Sequence, residues 1–155
     1  DRPYLRDSQQ PIREVQVMGL DMYLVGEVYH EGASFNNTPN PDDPREKIDC
    51  YPVQSSRLEC GYWRKHPDLH GYIVNTFADG EDKCQKIYLT AEECNQVADA
   101  LLKDELPHTE GFFFGKSEWH EETKKEDAEQ FRKAARWLEK HAKSWRHNLF
   151  YQASW

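Results

Sequence analysis

The stretch Cys60-Gly61-Tyr62-Trp63-Arg64-Lys65-His66-Pro67-Asp68-Leu69-His70 constrains this chain more than any other. Proline is tolerated in the first turn of a helix and breaks a deeper one, so Pro67 marks a start. Beyond it Leu69, Ile73 and Phe77 recur every four residues. That spacing keeps them on one face and predicts a helix from Pro67 to Phe77. The residues before it read as the end of a strand. A strand running into a helix gathers polar side chains beside the free N–H groups of the helix N-terminus, where a phosphate or carboxylate can sit.

The flanking segments follow the same two periods. Leu20, Met22, Leu24 and Val28 alternate and predict a strand over Leu20–Tyr29, weakened at Gly26. Short strands are expected in Ile48–Leu58 and Lys86–Leu89, and a closing strand over Leu149–Trp155 that docks the terminal indole. Thr90-Ala91-Glu92-Glu93 is a capping box. It opens a second helix whose stripe is Ala91, Cys94, Val97, Ala98, Leu101 and Leu102, broken at Leu106-Pro107-His108. A third helix is expected over Glu121–Ser144, burying Ala128, Phe131, Ala135, Leu138, Ala142 and Trp145. Gly111-Phe112-Phe113-Phe114-Gly115 reads as a short strand, and three consecutive rings cannot all face one side of a sheet. Glu31–Lys47 reads as a mobile loop, with a glycosylation sequon at Asn36-Asn37-Thr38 that is silent in a cytoplasm. Asp1–Val17 is polar and irregular and reads as a disordered leader or extended start. The fold class that follows is a single α+β domain over residues 18–155: a small, mostly antiparallel sheet with about three helices in one layer on one face.

Charge narrows the partners. With 28 acidic against 20 basic side chains the formal net charge is −8, which argues against direct nucleic-acid binding. The surplus is concentrated between Asp79 and Glu118, where ten acidic residues face four basic ones. No apolar run is long enough to span a membrane, so a soluble intracellular protein is expected. Cys50, Cys60, Cys84 and Cys94 lack the close spacing of a zinc knuckle and read as reduced thiols. No cofactor is expected.

Candidate sites are several, and no motif among them names a reaction. Arg64 and Lys65 can bind a phosphate or carboxylate while Tyr62 and Trp63 stack on a ring, unless the two aromatics are core and the cations solvated. His66 and His70 share a helical face, and Cys60 or His108 can join them around zinc, although the spacing is common by chance and no metal is expected. His70 is the best general acid or base, with two nearby cations expected to lower its pKa. Tyr151 and Gln152, with Trp155, form either a docked edge strand or a pocket wall. Asp99, Asp104 and Glu105 are the acidic candidates for contact with a basic partner.

Four blocks carry a resemblance: Met18-Gly19-Leu20-Asp21-Met22-Tyr23-Leu24, Gly61-Tyr62-Trp63-Arg64-Lys65, Gly111-Phe112-Phe113-Phe114-Gly115 and Tyr151-Gln152-Ala153-Ser154-Trp155. In this order they resemble a family of small phage and prophage proteins of unknown biochemical role. The resemblance implies a viral or prophage origin, a start at Met18 and a bacterial host cytoplasm. A phosphoglycerate kinase label attached to some relatives does not suit a chain this short without a phosphate-cradling glycine loop. The chain departs from the family pattern at Gly71-Tyr72, where relatives carry a tryptophan, and at Lys116-Ser117-Glu118-Trp119-His120, where they carry an acidic, tyrosine-rich run.

Two functions are compatible with these readings. One is an acidic, phage-encoded binding protein that inhibits or redirects a host protein or nucleoprotein complex, such as a CRISPR surveillance complex or another defence assembly. The other is a small nucleotide- or phospholigand-binding protein or enzyme using Arg64, Lys65 and His70.

Overall fold

A computed structural model describes residues 19–32, 41–107 and 121–155. The predicted leader, Met18, the sequon, His108, the Gly111–Gly115 block and the Lys116–His120 block lie outside these residues. Among them the order is β1 (Asp21–Tyr29), β2 (Lys47–Ile48), β3 (Tyr51–Pro52), β4 (Ser55–Arg64), α1 (Pro67–Phe77), β5 (Ile87–Tyr88), α2 (Ala91–Leu102), α3 (Glu121–Lys140) and β6 (His147–Ser154).

Four strands form one antiparallel sheet in the order β4-β1-β6-β5, in keeping with the expected α+β class. Side chains alternate across it. Met22 lies beside Trp63 and Ala153, and Leu24 beside Gly61 and Tyr151, so these residues share the face that meets the helices. There Trp63 stacks on Phe131 of α3 with ring centroids 5.1 Å apart, and Leu69, Ile73, Val97 and Leu101 complete a single core. Tyr23, Tyr62, Val25 and Glu59 fall on the opposite, outer face. The register slips between Leu24 and Val25, because Cys60 is an extra residue in β4. This bulge, rather than Gly26 alone, is the irregular point of the sheet.

The helix starts follow the sequence. In α1, Pro67 occupies the first turn and the His66 ring caps the end, its Nδ1 accepting from the Leu69 N–H at 3.3 Å. In α2 the capping box forms in both directions, Glu93 N–H to Thr90 Oγ1 at 3.1 Å and Thr90 N–H to Glu93 Oε1 at 3.0 Å. Three expectations need correction. Ile48–Leu58 is not one strand, since Asp49 and Cys50 both adopt positive φ and close a two-residue β2–β3 hairpin before β4 begins. The end of α2 comes at Leu102, before Leu106-Pro107, where Asp104 takes the left-handed conformation and Glu105 N–H returns to the Ala100 carbonyl. Finally, α3 ends at Lys140 rather than Ser144, so Ala142 is exposed and Trp145 is 69% exposed instead of buried. The chain there turns through i→i−3 bonds, from His141 N–H to Leu138 O and from Ser144 N–H to His141 O, to enter β6. His141 and His147 stack face to face across that turn at 3.9 Å.

Candidate functional site

The junction from Cys60 to His70 divides its residues between two environments. Successive strand residues point to opposite faces, so Trp63 enters the core, 6% exposed, while Tyr62 is 52% exposed on the outer face. The Trp63 Nε1–H donates to Asp127 of α3 at 2.9 Å. Burial pushes the Asp127 carboxyl up from its usual range, an effect the Trp63 hydrogen bond partly offsets. Trp63 is thus a core residue unable to stack on a ligand. Arg64, the last residue of β4, and Lys65 just beyond it are exposed, with both side chains against Gly19.

His66 and His70 are both built into the fold. The N-terminus of α1, expected to offer open N–H groups, is capped by His66, and burial pulls that imidazole below its ordinary value. His70 is 3% exposed. Its neighbours differ from the expected cations: Nδ1 hydrogen-bonds with the Tyr151 hydroxyl at 2.6 Å and Nε2 with Asp82 Oδ2 at 2.8 Å. Asp82 Oδ1 also accepts from the Trp155 Nε1–H at 3.2 Å. Burial holds the Tyr151 phenol well above its usual pKa, with Asp82 adding to the effect, so the hydroxyl keeps its proton. One nitrogen of the His70 ring thus faces the phenol and the other the carboxylate. The chain Tyr151–His70–Asp82–Trp155 ties α1, the loop before β5 and the C-terminal strand together. Nearby, the Gln152 side-chain N–H donates to the Cys84 carbonyl at 2.9 Å. Tyr151, Gln152 and Trp155 therefore belong to a docked strand; β6 is an inner strand, between β1 and β5.

The acidic candidates lie at the far end of α2. Asp99 pairs with Arg132 at 2.6 Å, and the Arg132 guanidinium holds its carboxyl below the usual range. Asp104 pairs with the buried Lys124. Glu105 is exposed. Among the described residues no group of three or more His, Cys, Asp or Glu can hold a metal ion. No helix there is long and apolar enough to cross a membrane. The four thiols are free, and burial pushes Cys94 up to about 12.

The site that sequence reasoning missed forms around the bulge. A cleft of about 510 Å³ is lined by Tyr23, Val25, Glu59, Cys60, Tyr62 and Gln130, with Leu24 and Gly61 completing its wall. Tyr23, Glu59 and Tyr62 come from the outer face and Gln130 comes from α3, so the cleft joins the two sides of the sheet at its β4 edge. Tyr23, 40% exposed, lies 5.3 Å from Tyr62 between ring centroids, at a tilt of 50°. The Tyr62 hydroxyl donates to Asp21 at 2.5 Å, fixing one ring of the pair, and this hydrogen bond raises the phenol's pKa. Gly61 is where the Trp63 ring and Gln130 pack against the β4 backbone, since a Cβ there would stand 2.6 Å from the ring and 2.9 Å from Gln130 Oε1. The Gln130 Oε1 is itself buried without a hydrogen-bond donor among the described residues. Tyr62 and Gly61 were visible in the sequence as members of a dense stretch, but Tyr23, Glu59 and Gln130 meet only in three dimensions. No protein-family model, no curated protein and no solved structure matches this chain.

Proposed function

We propose that this chain is an acidic binding protein, encoded by a phage or prophage, that works in the host cytoplasm by docking on a host protein or nucleoprotein complex and inhibiting or redirecting it. The observation that carries the binding role is the tyrosine-walled cleft beside β4, where two large aromatic side chains are left partly in water on the outermost of the described strands and its neighbour. Exposed tyrosines supply contact area at low conformational cost, and an edge strand offers unpaired backbone groups to an extended segment. A net charge of −8 favours a basic surface on the partner. The viral origin and the defence-related target rest on the sequence resemblance. Less supports an enzyme using Arg64, Lys65 and His70, since the His70 ring is held inside the core by Asp82 and Tyr151.

Affinity purification of the full chain from its bacterial host tests this reading. A single stoichiometric host protein retained by the wild type and lost from the double variant Tyr23→Ser/Tyr62→Ser is the expected result. Recovery that ignores the double change, or a native mass spectrum showing only a bound small molecule, overturns it.

A further inference from the structure

We propose that two copies of this chain pair through the open edge of β4, antiparallel about Leu58, so that Arg57 of each copy meets Glu59 of the other. The pairing goes beyond the host-binding reading above and does not depend on it. Among the described residues β4 is outermost, with β1 its one neighbour in the sheet. The run Ser55–Glu59 pairs with Tyr29–Val25 without a break, ahead of the bulge at Cys60, and contains no proline. Arg57, Leu58 and Glu59 are all exposed, although successive strand residues point to opposite faces. The strand is therefore open to water on both faces there. Leu58, on the helix side with Gly26, is 38% exposed, so the helices leave it partly uncovered.

Backbone direction selects the same residues. His30 N–H donates to the Gln54 carbonyl at 2.9 Å, so the Gln54 backbone faces β1. Peptide groups alternate along an antiparallel strand, which turns those of Ser55, Arg57 and Glu59 outward, away from β1. Such a row of unpaired donors and acceptors is a template for another strand. Laid antiparallel against its own copy about Leu58, the row sets Arg57 opposite Glu59 of the second copy, and the two-fold axis repeats the pair. Both residues present outward backbone groups, as a hydrogen-bonded pair requires, and their side chains share the outer face with opposite charges. On the axis, Leu58 meets Leu58 of the second copy on the helix side. Centring on Arg57 or on Glu59 instead sets like charges opposite each other, which destabilises a sheet. Among the described residues neither side chain joins an ion pair. The Arg57 guanidinium stands 6.0 Å over the Phe150 ring, at the limit of a cation–π contact, and so is loosely held.

Sedimentation equilibrium of the full chain at low salt, over a wide range of concentration, tests this. Expected is a monomer–dimer equilibrium in the wild type, with the dissociation constant raised about tenfold or more by Glu59→Arg and by Arg57→Glu, since each turns both cross-strand attractions into repulsions. Mixing the two single variants in equal amounts should restore dimers, because one copy then carries two cations at these positions and the other two carboxylates. A wild type that stays monomeric at every concentration, single variants that dimerise as well as the wild type, or folded variants that fail to associate on mixing overturns the proposal. Arg57 also stands over Phe150, so if Arg57→Glu unfolds the chain, amide exchange in the wild type decides. The Arg57 and Glu59 amides should become more protected as concentration rises while those of Ser56 and Leu58, which face β1, stay constant; no change at Arg57 and Glu59 overturns the pairing. No host partner enters these experiments, so tyrosine-dependent capture of a host protein stands or falls separately.

Discussion

Gly61 sits where the Trp63 ring folds back along β4, and the space a methyl group would need is taken by that ring and by Gln130. Gly61→Ala is therefore expected to lower stability by about 1–3 kcal/mol, as overpacking does, and a urea titration of the two proteins measures it. An unchanged midpoint would mean the indole can swing aside. Tyr151→Phe isolates a polar contact instead of a steric one. It keeps the buried ring and removes the hydroxyl that meets His70 at 2.6 Å, so a loss of about 1–3 kcal/mol is expected in thermal or chemical unfolding. The density of the Cys60–His70 stretch was readable from residue types alone. The assignment of Tyr62 to solvent and Trp63 to the core also follows from strand alternation once a buried face is known, but that face is set by Met22, Ala153 and Phe131, far along the chain.

At the scale of elements, the starts of helices were more legible than their ends. The capping box of α2 is closed within four residues, so its hydrogen bonds were written in Thr90-Ala91-Glu92-Glu93. Thr90→Ala is expected to cost about 1 kcal/mol, read as a shift in the urea midpoint, and no shift would show that the helix is held by packing alone. The end of α2 is different. Asp104 is in the left-handed conformation and faces Lys124 from α3, a partner twenty positions away that propensity cannot reveal. Asp104→Lys should thus destabilise the fold more than Asp99→Lys, because it places a second cation against a buried ammonium, whereas Arg132 is partly exposed. Equal losses would refute that ranking. The expected extent of α3 failed for a related reason, since its apolar period continues past Lys140 while the chain must reverse there to pair His147 with Val28 of β1.

Over the whole molecule, burial sets the response to acid. His66 and His147 both have imidazoles pulled below 6.5, by desolvation first, with His141 and Arg146 adding to the effect on His147. The folded chain keeps them neutral while the unfolded chain takes up protons near 6.5, so the stability present above that pH is lost as pH falls through it toward the lower folded values. Asp127 acts oppositely at lower pH, because burial raises its carboxyl and the folded state then binds the extra proton. The urea midpoint should accordingly fall between pH 7.5 and 5.5, and His147→Gln should flatten that fall; a midpoint that is constant or rises would refute it. By itself the sequence determined the α+β class, the start of α1, the capped start of α2 and the alternating strands, because each depends on hydrogen bonds or periodicity within a few residues. Only the tertiary structure decided that Trp63 meets Asp127 across 64 positions, that His70 meets Tyr151 across 81, and that a bulge at Cys60 opens a cleft over Gln130. Those partners are brought together by the closure of one shared core, and no local pattern in the chain encodes which distant residue will stand opposite.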